Sequence, residues 1–379
     1  MAWVVWPGNL RGAAQKQSGF RRLAAGMDKS GLADHLGGKG FGWGWEWLQA
    51  CRNGHWWARG SGCARHDGAG AVVPWAGQAA IRDAALGDGV LYRALWSGIS
   101  RGTERLVFEG RVPESEWPRM QAPYQEGSFP FPVKYGYAMV AEAVEGSDAG
   151  RVVFALFPHQ TQYRLPDAAV IGIPDAVPAT RAVLAANMET ALNILWDSGA
   201  GAGDRIAVIG AGVVGALVGY LCARLPGAEV VLVDRQPGRA DLAQALGCGF
   251  AGPEAAPKEC DVVIHASASA AGLATALGCA GQGAVVVEAS WHGAGETPVP
   301  LGGAFHSRRL RLISSQVGQL PHDRAPRWTY RRRLAKALDL LADPVLDLLI
   351  SGETDFDDLP AAYGPILTDP GTLCHRIRY

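Results

Sequence analysis

The chain has 379 residues, 48% of them apolar, which is enough for two domains of ordinary size with buried cores. Its 35 basic and 36 acidic residues leave a formal charge of −1, so no global electrostatic attraction draws it to nucleic acid or to an anionic membrane. No apolar run of about 20 residues is free of charges or glycine clusters, so no membrane-spanning helix is expected.

Seven scattered cysteines, an odd number, do not make a disulfide framework, and a reducing cytoplasm is the expected location. Residues 1–68 hold Trp3, Trp6, Trp43, Trp45, Trp47, Trp56 and Trp57 among many glycines and arginines, with no sustained period of 2 or 3.6. They lack a basic region followed by a continuous apolar core, so they do not read as a secretory leader. A disordered extension, or sequence translated upstream of the natural start, is expected there; an aromatic interaction tail is the alternative.

From Ala71 the texture is that of a folded domain. Val72-Val73-Pro74 and Ala79 to Arg82 read as an opening hairpin, and Gly89 to Trp96 as a strand of alternating character. Ser97-Gly98-Ile99-Ser100-Arg101-Gly102-Thr103-Glu104 follows, a turn crowded with hydroxyls and an Arg/Glu pair. Such a gathering after a strand either lines a site or starts a helix capped by Ser97 or Ser100. Val152 to Leu156 is an apolar run. His159, in Phe157-Pro158-His159-Gln160, is either a general acid/base, since imidazole titrates near neutral pH, or a structural histidine. A proline-studded return, Leu165 to Pro178, precedes a helical period from Ala179 to Trp196.

Arg205 to Gly215 organises the rest. The β-branched run Ile206 to Ile209 meets Gly210, Gly212 and Gly215, and an amphipathic stretch from Val213 to Leu225 follows. Strand, tight turn and helix in that order let the backbone approach a pyrophosphate, with the free N–H groups of the helix start at Val213 and Val214 behind it. Nineteen residues after Gly215, the run Glu229 to Val233 ends in Asp234, placed to accept hydrogen bonds from an adenosine ribose and to repel a 2′-phosphate. NAD is therefore the expected cofactor; Arg235, with Arg239 near, keeps NADP as the alternative. Asp261 to Ile264, Ala284 to Glu288 and Leu310 to Ile313 read as further parallel strands, with Ala270 to Ala280 as a connecting helix. Ligands of such sheets lie beyond the strands' carboxyl ends, which points to His265-Ala266-Ser267, to Ala289-Ser290-Trp291-His292 and to Ser314-Ser315-Gln316-Val317. Arg331-Arg332-Arg333 reads as the exposed basic start of an amphipathic helix, and Cys374 to Tyr379 as a final strand.

The order of a mostly β domain, an inserted dinucleotide fold and a short return segment resembles the medium-chain dehydrogenase/reductase superfamily from about Ala71 to Tyr379. Ser97 to Glu104 corresponds to the family segment Gly-Ile-Cys-(Arg/Gly)-x-Asp, and looks most like the branch that includes bacteriochlorophyllide a dehydrogenase. The resemblance implies an α/β fold: a GroES-like, mostly β catalytic domain (69–186), a Rossmann doubly wound parallel sheet (187–317), and a return to the catalytic domain (318–379). It implies Arg101 at the cofactor pyrophosphate, Thr190 beside the nicotinamide, and the backbone of Ala289 and Val317 near its amide. The three catalytic zinc positions of the family fall on Ser100, Tyr137 (in Gly136-Tyr137-Ala138) and Ala186, none a good ligand. No zinc is expected, although Glu104, His159 and Glu189 border the cleft in the resembling fold and include metal-ligating types.

Tyr137 is then the proton donor to a developing alkoxide, with Ser100 or Thr103 relaying. The expected activity is hydride transfer between NAD(P) and a secondary alcohol or ketone, a hydroxyethyl tetrapyrrole being one candidate substrate. A zinc-free quinone or enone reductase and a non-catalytic dinucleotide-binding protein are the alternatives. A small-molecule substrate is the expected partner, and a homodimer stays open.

Overall fold

A computed structural model describes residues 68–379; apart from Gly68, the expectation for the amino-terminal extension falls outside the described residues. The described residues belong to one compact unit. They open with β1 (Gly68–Val72) and β2 (Ala80–Ala84), an antiparallel pair, followed by β3 (Val90–Ser100) and α1 (Arg101–Phe108). Then come β4 (Glu126–Gly127), β5 (Val133–Lys134), β6 (Met139–Ala143), β7 (Val152–Ala155), β8 (Gln162–Leu165) and β9 (Val170–Gly172). Two helices, α2 (Ala179–Ala182) and α3 (Ala185–Ser198), lead to β10 (Arg205–Ile209), α4 (Val213–Cys222), β11 (Glu229–Val233), α5 (Ala240–Ala245) and β12 (Gly249–Ala251). The nucleotide-type half continues with β13 (Cys260–His265), α6 (Ala270–Cys279), β14 (Ala280–Glu288) and β15 (Arg311–Ser314). The chain ends with α7 (Tyr330–Asp339), β16 (Ile350–Asp355), α8 (Leu359–Thr368) and β17 (Cys374–Arg378).

Two large sheets carry the architecture. The first runs β16-β17-β3-β6-β7-β9 with β8 also on β3, so strands from 90–172 are completed by strands from 350–378. The second runs β12-β11-β10-β13-β14-β15, with every pairing parallel. In chain order that is 3-2-1-4-5-6, the doubly wound order whose crevice opens between the first strand, β10, and the fourth, β13. Both are apolar because helices cover them: Ile206, Val208 and Val263 are buried. This is the Rossmann sheet beside a mostly β domain that the sequence implied.

Three expectations change. The strand expected to stop at Trp96 continues to Ser100, because β17 pairs with residues 96–100 on one side while β6 pairs with residues 92–97 on the other. The helical period from Ala179 divides at Val183–Leu184, where the Val183 carbonyl packs against Gly98 so closely that a Cβ there would lie 2.9 Å from it. Arg333, expected on an exposed basic face, is buried. Its Nε donates to Glu189 Oε1 (3.0 Å), Nη1 to Asn193 Oδ1 (2.5 Å) and Nη2 to the Val317 carbonyl (2.5 Å), tying α7 to α3 and to the loop after β15.

Candidate active site

The glycine turn joins β10 to α4, and each glycine is needed for a different reason. Gly210 has φ of 106°, and a Cβ there would lie 2.9 Å from the Ser267 backbone. At Gly215 a Cβ would fall 1.9 Å from the Gly210 carbonyl oxygen. Gly212, with φ of −71° at the start of α4, meets nothing within 4 Å, so its missing side chain leaves open space in front of the helix start at Val213 and Val214. That cradle fits a pyrophosphate approaching the backbone N–H groups. Asp234, at the end of β11, accepts from the Ala211 N–H (2.7 Å) and the Gln236 N–H (2.9 Å), which fixes its carboxylate beside the turn. Arg235 is exposed. Arg239 spends its Nη2 on the carbonyls of Pro370 (3.2 Å) and Gly371 (2.9 Å). Arg101, first residue of α1, is half-buried; burial, then the charges of Arg105 and Arg239, lower its pKa, while Asp234 and Asp369 oppose them. Those couplings put Arg101 in electrostatic reach of the Asp234 end of the turn.

A second group of polar side chains is buried where β3 becomes α1. Ser100 holds the N-cap position of α1 but makes no side-chain cap bond. Its hydroxyl and that of Thr103 instead hydrogen-bond Tyr137, whose pKa is raised by burial first and by Glu104 second. The Ser100 N–H donates to Glu104 Oε1 (2.7 Å), and Glu104 Oε2 accepts from the Tyr363 hydroxyl (2.6 Å) and lies 3.1 Å from His159 Nε2. His159 Nδ1 is 2.8 Å from Ser97 Oγ, which is 2.8 Å from the Tyr379 hydroxyl. A neutral imidazole that donates Nε2–H to Glu104 must accept at Nδ1. Ser97 then donates to His159 and accepts from Tyr379. Ser100, Thr103, Tyr137 and His159 are thus brought into one region, with Glu104 joining the two halves. All of these side chains but Tyr379 are buried, and His159, Tyr135 and Tyr363 face a cavity of about 10 Å³, roughly the space of one water.

The remaining candidates lie along the strand ends. Thr190 Oγ1 donates to the Ala186 carbonyl (3.0 Å), one turn back on α3. The Val317 carbonyl accepts from Arg333, and the Ala289 N–H donates to the His265 carbonyl (2.9 Å). Ser267 Oγ lies 2.7 Å from His265 Nε2, and Ser267 packs its backbone on Gly210. Glu189 pairs with Arg333, and no hydrogen bond links it to Glu104 or His159 among the described residues. Burial outweighs that partner and pushes the Glu189 carboxyl up to about 7.

No protein-family model matches the sequence, and no curated protein sequence matches it. Solved structures do. L-idonate 5-dehydrogenase from Escherichia coli superposes with a TM-score of 0.66 at 15% identity, covering 82% of this chain and 98% of that one. 2R,3R-butanediol dehydrogenase from Bacillus subtilis gives 0.64 at 16% identity over 83% and 100%. The yhdH oxidoreductase from Salmonella enterica, solved with NADP, gives 0.60 at 16% identity over 82% and 99%. The chain shares the fold of these dehydrogenases, a GroES-like, mostly β domain with a Rossmann sheet.

The sequence resemblance aligns the catalytic zinc positions of the medium-chain dehydrogenases with Ser100, Tyr137 and Ala186, and these residues do not fit that ion. A hydroxyl at Ser100, a phenol at Tyr137 and a methyl at Ala186 cannot supply three nitrogen, sulfur or carboxylate ligands. Tyr363 and Tyr379 were missed as members of the network, and nothing in the pattern of the chain signalled them. Ser97 and Glu104 stand in the polar segment that the sequence singled out, though their partners were not foreseen.

Proposed function

We propose that the protein is an oxidoreductase that interconverts a secondary alcohol and its ketone with NAD(H), and that Tyr137 takes the place of a metal ion at the substrate oxygen. The observation that carries this reading is that Tyr137 hydrogen-bonds Ser100, the two residues that the resemblance aligns with metal positions, and also bonds Thr103. Gly210, Gly212, Val213, Val214 and Gly215 would hold the pyrophosphate with Arg101 facing it, and Asp234 would take the adenosine ribose. Thr190 and the backbone of Ala289 and Val317 would border the nicotinamide, which when bound gives or accepts the hydride.

Burial keeps the Tyr137 phenol protonated well beyond neutral pH, so it serves as a donor. In the direction of ketone reduction it protonates the oxygen as charge develops there, and Ser100 and Thr103 relay a proton from water back to the phenolate, each hydroxyl taking one as it gives one. Tyr137 is closed off from solvent, so substrate reaches it only when the structure around it opens. Asp234 beside the turn supports NAD over NADP, because a 2′-phosphate would meet its carboxylate. The likeness of Ser97 to Glu104 to the bacteriochlorophyllide a dehydrogenase branch supports a hydroxyethyl tetrapyrrole as the first substrate to try.

Calorimetric titration with NADH and NADPH, followed by turnover of ketones, conjugated enones and hydroxyethyl tetrapyrroles, tests the reading. It expects tighter binding of NADH and reduction of a ketone. Turnover of enones alone assigns a quinone-reductase type activity instead, and binding without turnover assigns a non-catalytic role.

A further inference from the structure

The carboxyl ends of β13 and β14 carry a second cluster, independent of the Tyr137 network. His265 and Glu288 are register partners on these adjacent parallel strands, and His292 lies four residues beyond Glu288 in the loop that follows. His265 Nδ1 lies 2.6 Å from Glu288 Oε2, His292 Nε2 lies 3.3 Å from the same oxygen, and the three atoms are all within 4.8 Å of one another. His292 Nε2 is buried and, despite that closeness, makes no well-aligned hydrogen bond.

Every other polar atom of these three side chains is occupied. Glu288 Oε1 accepts from the Ser290 N–H (2.8 Å), and His292 Nδ1 pairs with Thr297 Oγ1 (3.0 Å). His265 Nε2 pairs with Ser267 Oγ (2.7 Å), which is 3.0 Å from Ser269 Oγ, itself the acceptor of the Gly272 N–H. Gly272 makes room for this chain, since a Cβ there would lie 2.1 Å from Ser267 Oγ and 2.8 Å from His265 Nε2. Outer partners of this kind orient the rings, and a bound cation would displace the proton that His265 Nδ1 shares with Glu288 Oε2. The convergent atoms are then two imidazole nitrogens and one carboxylate oxygen.

We propose that His265 Nδ1, Glu288 Oε2 and His292 Nε2 form a binding site for a zinc-class divalent cation at the carboxyl edge of the six-stranded sheet, with a fourth coordination position open. Two histidines and one carboxylate with an open position are a ligand set that zinc uses where it keeps a water or substrate. Bonds of about 2.0–2.1 Å in a tetrahedron put ligand atoms about 3.3 Å apart. The His292 to Glu288 spacing already matches, His265 and Glu288 separate by about 0.7 Å when the cation replaces their shared proton, and the two imidazole nitrogens, within 4.8 Å of each other, close by at most about 1.5 Å. Glu288 and His292 expose 17% and 20% of their side chains, which gives the ion a way in, while His265 is fully enclosed. This departs from the expectation of no metal, and places the ion away from the Ser100, Tyr137 and Ala186 positions.

The test uses the full chain, stripped with a chelator and titrated with Zn²⁺ by calorimetry and with Co²⁺ by visible absorption. The wild type is expected to bind one equivalent that gives the spectrum of four-coordinate Co²⁺. Glu288→Gln and His292→Ala are each expected to weaken that equivalent at least tenfold. Circular dichroism checks that the variants are folded, and the near-isosteric Glu288→Gln carries the comparison if His292→Ala is not. Unchanged stoichiometry and affinity in a folded variant, or no four-coordinate Co²⁺ signal in the wild type, overturns the proposal. NADH titration is read separately, so failure here leaves the dinucleotide reading standing.

Discussion

Replacing Gly212 and Gly215 by alanine, one at a time, separates what the turn does for folding from what it does for binding. At Gly215 the new Cβ would stand 1.9 Å from the Gly210 carbonyl oxygen, where ordinary contact begins at 3.4 Å. The carbonyl or the helix must therefore retreat by roughly 1.5 Å, and overpacking of this kind costs about 1–3 kcal/mol. Gly212 is different: nothing lies within 4 Å of its added Cβ, and φ of −71° suits alanine. Reduced freedom of the unfolded chain favours Gly212→Ala by about 0.4–1 kcal/mol, while losing glycine at a helix N-cap costs a few tenths or more, so the net lies within about 0.5 kcal/mol of zero. The same Cβ occupies the space through which a pyrophosphate reaches the Val213 and Val214 N–H groups. Loss of about 1.4 kcal/mol there is a tenfold weaker complex, the least that is expected. Urea denaturation and NADH calorimetry on the same preparations give both numbers. Wild-type NADH affinity in Gly212→Ala, or wild-type stability in Gly215→Ala, would refute the assignment of the turn.

Tyr137→Phe is expected to lower kcat for ketone reduction by about 10²–10⁴ with NADH affinity retained, which stopped-flow and titration together measure. Asp234→Ser is expected to weaken NADH and strengthen NADPH, read as the ratio of their dissociation constants. Glu189 has a folded-state pKa raised from 4.5 to about 7, so the folded protein binds its proton more tightly than the unfolded chain. Its contribution is fully present below pH 4.5 and is lost as pH rises through 7, with a slope of at most about 1.4 kcal/mol per pH unit. Glu189→Gln should flatten that part of a stability profile from chemical denaturation; a profile identical to wild type would contradict the raised pKa. Arg333→Met leaves Glu189 buried without its cation and is expected to cost about 3–5 kcal/mol at pH 7.5, less at pH 5 where Glu189 is protonated.

The dinucleotide half was legible because its constraints are local. Three glycines at fixed spacing each answer a backbone clash or opening within the turn, and β-branched runs of strand length mark a sheet covered on both faces. The polar network was legible only in part, since its members meet across the fold. Tyr363 lies 259 residues from Glu104 and Tyr379 lies 282 residues from Ser97, distances that no period spans. Ser100 and Tyr137 were found through a resemblance that aligned both with metal positions. Arg333 was misplaced because a run of three arginines reads as a solvated face; its burial is decided by Glu189, 144 residues earlier. His265 and Glu288 were noted as strand ends, but their pairing needs the β13–β14 register.

The network also constrains the direction of proton movement. A buried carboxylate loses hydration worth several kcal/mol and needs compensation. Glu104 receives it from the Ser100 N–H, from the Tyr363 hydroxyl and at His159 Nε2. Hydrogen-bond donors hold a negative charge in place without cancelling it, as a cation would, and the persisting field is felt at Tyr137, where it adds to burial in raising the pKa. The same field opposes an oxyanion forming nearby. On the proposed reading, a substrate oxygen beside Tyr137 would not accumulate charge and wait, as it can on a metal ion; it would take the phenolic proton as the hydride arrives. Ser100 and Thr103, neutral hydroxyls already bonded to Tyr137, suit that task because they pass a proton without adding charge.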